Sequence, residues 1–339
     1  SVTAVETVKA QSCKGKLHPR LLAVISEGQG GKQYSLPSAE QLKSADFNLE
    51  REIIPSGKME RNSNGGDTHP WGFTQWSDLF SKRQLYSLNA LINNYEIITA
   101  LFDDTLYCIA VKTYLALWID RTILYNTTFG RFDVTCAKVQ HPFNRQAISM
   151  IFDYPESNMF CGLTGSAENQ LEWFCRYLSS ESGTPFCTLF THASSGDKMQ
   201  FPQKGLTAVI TDPPYYDAIA YADISDFFYV WLKRTLGEVF PVNFATPQTP
   251  KTEECTALKH HHNNSEEEAK KHFEHKLTQI FDAIEQQTSD IVSIMFAHQS
   301  TEAWTTLCNS ILGARMNITG SWPMDTEMAN RSLGLAGAA

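Results

Sequence analysis

The sequence predicts an α/β protein built around a parallel β-sheet. Beyond residue 184, apolar stretches of strand length alternate with amphipathic stretches of helix length, a pattern typical of a parallel sheet covered by helices on both faces. The 339 residues are enough for roughly two domains. Of these residues, 42% are hydrophobic and 12% aromatic, which is sufficient for a packed core and excludes a disordered chain.

The first part of the chain predicts smaller elements ahead of that domain. Residues 1–54 are expected to be a β-rich segment of short strands and turns, because an apolar stretch at 21–26 runs into the glycines of 28–31, a hairpin signal. Residues 55–70 are polar and glycine-rich and predict a linker.

Residues 71–165 predict a helical region followed by an irregular loop. One amphipathic helix is expected to begin near Lys82, capped by Ser77 or Ser81, and a second to cover residues 103–125. Residues 166–339 predict the α/β domain itself. Its predicted strands cover 185–191, 206–211, 291–297 and 317–322, and its predicted helices cover 168–179, 221–236, 265–287 and 301–312.

Charge and cysteine usage exclude several classes of protein. The chain carries 28 Lys and Arg against 37 Asp and Glu, a net charge of −9, so bulk positive charge cannot hold nucleic acid. Apolar runs stay well short of the ~20 residues that a membrane span needs. None of the eight cysteines forms a C-x-x-C pair. We therefore expect no metal site, no membrane partner, and reduced thiols in a cytoplasmic protein.

One motif carries a specific chemistry: Asp212-Pro213-Pro214-Tyr215 directly follows an apolar strand. The carboxyl end of a parallel strand is where α/β sheets place ligands. Pro213 keeps Asp212 out of the helical conformation, and two prolines in a row make the turn rigid. The motif thus predicts a carboxylate, a free carbonyl and an aromatic ring in fixed relation.

This arrangement suits methyl transfer to an exocyclic amine. The lone pair of such an amine is delocalised into the base, and hydrogen bonds from its N–H groups to the Asp212 carboxylate and the Pro213 carbonyl would localise it. Tyr215 could stack on a flipped base. The structural alternative is a strand-ending turn in which Asp212 caps the following helix.

The wider sequence around this motif resembles a known family. Residues 212–223 read D-P-P-Y-Y-D-A-I-A-Y-A-D, and T-P-Q-T-P follows at 246–250. This is similar to the adenine-specific DNA methylases described as containing a zinc ribbon, which occur in prokaryotic phage-defence clusters. The resemblance extends in the same order over segments 76–80, 83–85, 144–147, 153–158, 296–298 and 321–324.

The resemblance implies a Rossmann-like methyltransferase sheet, incomplete in this chain, that uses S-adenosylmethionine (SAM) as cofactor. The implied activity is methylation of an amino group of a DNA base, adenine N6 before cytosine N4. The implied partners are DNA and other subunits of a phage-defence or restriction-modification system. One alternative remains open: a non-catalytic methyltransferase-fold subunit that binds DNA or protein.

The candidate site residues follow from the motif and the resemblance. The expected catalytic residues are Asp212, Pro213, Pro214 and Tyr215, and Ser194 is expected to join Asp212 at the donor. Tyr215, Tyr216, Lys233 and Arg234 are expected at the DNA, with solvated surface charge as the alternative for the two cations.

Three further groups are weaker candidates. Asp153, Glu156 and Asn158 form either an active-site wall or a satisfied turn. His298 either faces the pocket or is a hydrogen-bonded structural histidine. The tract 260–262 is expected to be an exposed loop rather than a metal site.

The donor half of the site is not evident in the sequence. A SAM enzyme needs a glycine-rich loop after its first strand and an acid after the next. The glycines at 162 and 165 follow no clear strand. In the family those parts lie upstream of the region matched by residue 1. We therefore expect this chain alone to expose part of its sheet, and neither to bind SAM tightly nor to methylate DNA.

Overall fold

The computed structural model describes residues 3–46, 55–61, 67–183, 194–298 and 300–323. The chain forms a mixed α/β structure and divides into two compact units. Unit 1 comprises residues 1–185 and 223–249, and unit 2 comprises residues 186–222 and 250–339. The predicted strand over 185–191 lies outside the described residues.

Unit 1 begins with a β-hairpin between two short helices. Helix α1 (Val5–Ser12) precedes strands β1 (Val24–Gly28) and β2 (Gly31–Ser35), and helix α2 (Ala39–Ala45) follows them. The hairpin is confirmed, with a tight turn between the paired glycines Gly28 and Gly31. The expectation of strands and turns alone was wrong. The capping box of Ser38 and Gln41, which starts α2, is readable in the sequence.

The helical region of unit 1 agrees with the prediction. Helix α3 (Lys82–Thr99) is capped by Ser81, and helix α4 (Leu106–Tyr125) is capped by Thr105. A small hairpin of strands β3 (Arg131–Asp133) and β4 (Lys138–Gln140) leads through irregular chain to helix α5 (Ala167–Glu181). Of the helices that the structure describes, none combines the length and the hydropathy needed to cross a membrane.

Unit 1 takes part of its core from a later stretch of chain. Helix α6 (Tyr221–Leu236) belongs to unit 1 from Asp223 onward. Its Phe227 and Trp231 are almost fully buried, and both pack against Phe80. The same core contains side chains from α3, from α4 and from the turn before α3, among them Leu79, Leu88, Ile92, Ile119 and Ile123.

Unit 2 contains the predicted parallel strands. Strands β5 (Leu206–Thr211) and β6 (Thr288–Ile294) pair in parallel, with Thr211 opposite Ile294. Strand β6 begins at Thr288 rather than at residue 291. Helices α7 (Glu266–Gln287) and α8 (Thr301–Gly313) flank it in the chain, close to their predicted bounds.

Helices α7 and α8 cover one face of this sheet. Ile294 packs against the core that the two helices form, which contains Phe273, Leu277, Phe281, Ala303, Leu307 and Ile311. On the opposite face Ile210 is 79% exposed and Ile291 is 59% exposed. At these two positions the second face is exposed, in line with the expectation of a partly exposed sheet face, and helices on both faces of the sheet stay a prediction.

The last predicted strand is absent from the described residues. Residues 317–323 follow α8 without regular structure and pair with no described strand. Ile318 is 53% exposed and Trp322 is 80% exposed. Alternating apolar residues favour a strand only where a neighbouring strand completes the hydrogen-bond ladder, so the pattern alone was a wrong indication here.

Candidate functional site

The motif of the sequence forms a rigid turn at the end of β5. We call residues 212–217 the Asp212 turn. Asp212 is exposed, whereas Pro213 behind it is buried. The N–H of Tyr216 donates to the carbonyl of Pro214 (3.1 Å), and the N–H of Ala218 donates to that of Tyr215 (3.0 Å). Fixed proline φ angles and these bonds hold the Asp212 carboxylate at the carboxyl end of a parallel strand.

Tyr216 anchors the turn in the core of unit 2. Its ring is 8% exposed and meets the ring of Phe273 edge to face at 5.1 Å. Its carbonyl accepts the N–H of Ala257 (3.0 Å). Its φ of 56° is left-handed, which is uncommon for a bulky residue and persists only where the surroundings hold it. Burial, reinforced by carboxylates including Glu302, raises the pKa of Tyr216 to about 12.

The ring of Tyr215 is the first in a series of three aromatic rings in contact. The ring is half-buried and meets Phe296 edge to face at 5.6 Å. Phe296 in turn meets Trp304 of α8 at 5.2 Å. Edge-to-face contacts favour a defined orientation of a ring. Tyr215 is thus the aromatic ring of the motif that is both oriented and partly exposed.

His298 lies beside the turn and contacts two of its residues. Its Nε2 is 3.3 Å from Asp217 Oδ1, and its ring is 5.7 Å from that of Tyr216. Its Nδ1 accepts the backbone N–H of Ser300 (3.0 Å). The sequence allows either a pocket or a structural role for His298. It does not single out Asp217, because a lone acid after the motif carries no spacing signal.

Tyr221, which lies outside the motif, is close to Asp212 and to Glu254. Burial raises the pKa of Tyr221, and the carboxylates of Asp212 and Glu254 raise it further. Glu254 Oε1 accepts the N–H of Ala222 (2.9 Å) at the start of α6. The sequence does not single out Glu254, because this residue lies in an irregular stretch. The negative charge of Asp212 is therefore felt by a neighbouring phenol.

The other predicted site residues have different surroundings. Ser194 is exposed. Lys233 donates to the carbonyl of Thr246 (2.6 Å), and Arg234 pairs with Glu96 (2.9 Å), both within unit 1. These two cations thus have structural contacts of their own, close to the alternative of ordinary surface charge.

The polar cluster at 153–158 makes internal bonds in unit 1. Glu156 accepts hydrogen bonds from Arg83 at Nε (2.6 Å) and Nη2 (2.8 Å), and from Ser81 Oγ (3.0 Å). The Glu156 carboxylate raises the pKa of the Arg83 guanidinium. Asn158 accepts the N–H of Phe160 (3.0 Å), and Asp153 is exposed. The contacts of Glu156 and Asn158 match the satisfied-turn alternative.

The histidine tract is not an exposed loop. His261 ends a short 3-10 helix, Lys259–His261, and its side chain is only 4% exposed. His261 Nδ1 lies 3.8 Å from Glu254 Oε2. The ring of His262 lies 4.5 Å from that of His272. Burial lowers the pKa of His262, and neighbouring histidines lower it further. The expectation of an exposed loop failed because α7 packs against this helix.

The described residues do not form a cradle for SAM. A donor loop joins the end of a strand to the start of a helix. The connections from β5 to α6 and from β6 to α8 have this order but contain no glycine. Gly28 and Gly31 instead join β1 to β2, and Gly165 leads into α5 after irregular chain. Among the residues that the structure describes, Asp212 offers an exposed carboxylate and Tyr215 a half-buried ring, whereas no glycine-rich loop that would fit SAM follows a strand.

Comparisons with known proteins add no further constraint. The chain matches no family model, no curated protein and no solved structure. Any functional argument therefore rests on the chemistry of the Asp212 turn.

Proposed function

We propose that this chain recognises the exocyclic amino group of a DNA base for methylation by SAM, adenine N6 before cytosine N4. One observation carries the proposal: the exposed Asp212 carboxylate stands at the carboxyl end of a parallel strand, in a turn that two prolines and the buried Tyr216 make rigid. Rigid placement matters because a group that is already held in its reactive orientation does not lose further conformational entropy when the substrate binds.

Asp212 and Pro213 act on the amine. The amino nitrogen of adenine or cytosine shares its lone pair with the ring and is a weak nucleophile. When its two N–H groups donate to the Asp212 carboxylate and to the Pro213 carbonyl, the nitrogen becomes pyramidal and its lone pair localises. The carboxylate also stabilises the positive charge that develops on nitrogen as a bond forms. SAM, when bound, supplies the methyl group as an electrophile.

Tyr215 receives the base. A base inside a duplex is out of reach of such a turn and must flip out, at a cost of a few kcal/mol. Stacking on an aromatic ring returns about 1–3 kcal/mol per base. Tyr215 has an oriented, half-exposed ring for this purpose, whereas Tyr216 is committed to the core. In our proposal Tyr215 therefore stacks on the base, and the contact with DNA expected of Tyr216 is dropped.

The finer fold belongs to the same proposal. The strand–turn–helix order from β5 through the Asp212 turn to α6, with β6 parallel to β5, supports a Rossmann-like methyltransferase sheet. A second candidate is a non-catalytic subunit with that fold that binds DNA or protein, for instance within a phage-defence system. It is favoured by the lack of a donor cradle among the described residues.

The test replaces Asp212 in the natural gene, expressed in a host that lacks DNA methylation. Mass spectrometry of the host DNA measures N6-methyladenine and N4-methylcytosine. Asp212→Ala should lower methylation by roughly 10²–10³-fold, the usual loss when one charge-stabilising group is removed. Asp290→Asn, a change of an exposed acid on β6, is the matched control and should change nothing.

Two results would count against the proposal. Near-normal methylation by the Asp212→Ala protein would remove Asp212 from the chemistry. DNA binding by the wild-type protein with no methylated base in the host would favour the non-catalytic subunit.

A further inference from the structure

We propose that His298 is a positioning residue, which holds the Asp212 turn through a hydrogen bond to Asp217. The contacts that carry the inference are structural. Its consequence for methyl transfer rests on the proposed function.

The tautomer of the neutral His298 ring follows from its hydrogen bonds. The backbone N–H of Ser300 donates to Nδ1 (3.0 Å), so Nδ1 holds no proton. The neutral ring therefore carries its proton on Nε2, which faces Asp217 Oδ1 at 3.3 Å. An ionised carboxylate only accepts hydrogen bonds, so the two groups match in this tautomer.

The backbone around His298 is itself held by hydrogen bonds, so the ring is a firm support for Asp217. The indole Nε1 of Trp304 donates to the His298 carbonyl (2.9 Å). Ser300 caps α8 by accepting the N–H of Ala303 (3.2 Å) at its Oγ. The His298 side chain is 12% exposed. A partly desolvated ring held from both sides is stiffer than an exposed side chain on a loop.

His298 closes one side of a two-sided clamp on the Asp212 turn. On its side, the N–H of Met295 donates to the Thr211 carbonyl (2.9 Å), and the His298 ring meets that of Tyr216. On the other side, Ala257 donates to the Tyr216 carbonyl. Asp217 is the last residue of the turn, 53% exposed in its side chain. The His298 bond thus fixes the end of the turn that the prolines do not reach.

Two isosteric variants separate the contacts of His298. Asparagine places its amide oxygen where Nδ1 lies, and keeps the bond from Ser300 while losing Asp217. Glutamine places its amide nitrogen where Nε2 lies, and keeps the bond to Asp217 while losing Ser300. His298→Asn should therefore loosen the turn, and His298→Gln should retain it. His275→Asn, at an exposed position on α7, is the control.

The first readout does not depend on any activity. Hydrogen exchange at the peptide around Ala257 reports the bond to the Tyr216 carbonyl. It should be about tenfold faster in His298→Asn than in wild type, and close to wild type in His298→Gln and His275→Asn. Long-range ¹H–¹⁵N NMR should show the wild-type proton on Nε2. Equal exchange in the Asn and Gln variants, fast or slow, or a proton on Nδ1, would overturn the inference.

The second readout is methylation of host DNA by the natural gene carrying each variant. His298→Asn should lower the methylation rate by about 10–100-fold with DNA affinity unchanged, and His298→Gln should restore most of it. Methylation lost equally in both variants would overturn the inference. An absence of methylation in wild type would refute the proposed function alone, because the exchange and NMR results would still decide the role of His298.

Discussion

Asp120 is a carboxyl group buried in unit 1. It lies on α4 and is 8% exposed, and its Oδ1 has no hydrogen-bond partner among the residues that the structure describes. Burial raises its pKa well above the usual range. Desolvation disfavours the charged form of an acid, so the folded protein keeps a proton here that the unfolded chain releases.

The pH dependence of unfolding should reveal this group. Between the unfolded pKa near ~4 and the higher folded pKa, the native state binds more protons than the unfolded state, so stability falls as pH rises. Asp120→Asn should remove that fall and add about 1–3 kcal/mol at pH 8 relative to wild type, with a smaller difference at pH 4. Urea unfolding at both values measures it, with Asp104→Asn at an exposed position as control. A difference independent of pH would contradict the assignment.

For single residues, the sequence predicts the chemical group and its local turn better than the tertiary contacts of that residue. Asp212 and its prolines were readable because covalent constraints fix a turn locally. The burial of Tyr216 and its left-handed φ were not, since they depend on Phe273 and Ala257, which come later in the chain. His298 was noticed as a residue, but its partner Asp217 is defined only by the folded chain.

Among the secondary-structure elements, the starts of helices are the feature that the sequence determines most directly. Ser265 begins α7, and its Oγ accepts the N–H of Glu268 (3.2 Å). Three glutamates lie in the first turn of α7, where their negative charge interacts favourably with the positive end of the helix dipole. Both features are local, which is why the predicted start at 265 lies within one residue of the observed start at Glu266. Strand β6, which needs β5 as its partner, was predicted less accurately.

Removing the cap of α7 should weaken unit 2. Ser265→Ala is expected to cost about 1 kcal/mol in the free energy of unfolding, because the Glu268 N–H loses its acceptor. Ser265→Asp should restore the bond and serves as the rescue variant. Urea unfolding followed by circular dichroism measures both. Equal destabilisation by alanine and aspartate would show that the hydroxyl acts through some other contact.

At the scale of the whole molecule, the exposed face of the β5–β6 sheet is expected to promote association between molecules. Ile210 and Ile291 present apolar surface there. Replacing both with threonine keeps the β-branched shape that suits a strand and lowers the apolar area. The double variant should bind less hydrophobic dye and scatter less light at high concentration. Ile294→Thr, on the covered face, should instead destabilise the protein by about 1–3 kcal/mol. Unchanged dye binding by the double variant would contradict this view.

The donor site leads to a second prediction for the whole chain. Because the described residues form no cradle for SAM, calorimetry on the 339-residue chain should show no tight SAM binding. Ser194→Ala is then expected to make no difference. Tight binding would show that a donor site exists and that we have misjudged where it lies.

The division of the chain also has a consequence for synthesis on the ribosome. Unit 1 holds residues 223–249 as well as residues 1–185, so its core lacks Phe227 and Trp231 until the first segment of unit 2 has emerged. At ~5–20 residues per second, the nascent helices α3 and α4 wait several seconds with their shared apolar surface uncovered. During that interval we expect the growing chain to be open to chaperone binding, and the emergence of α6 to end the exposure of this surface.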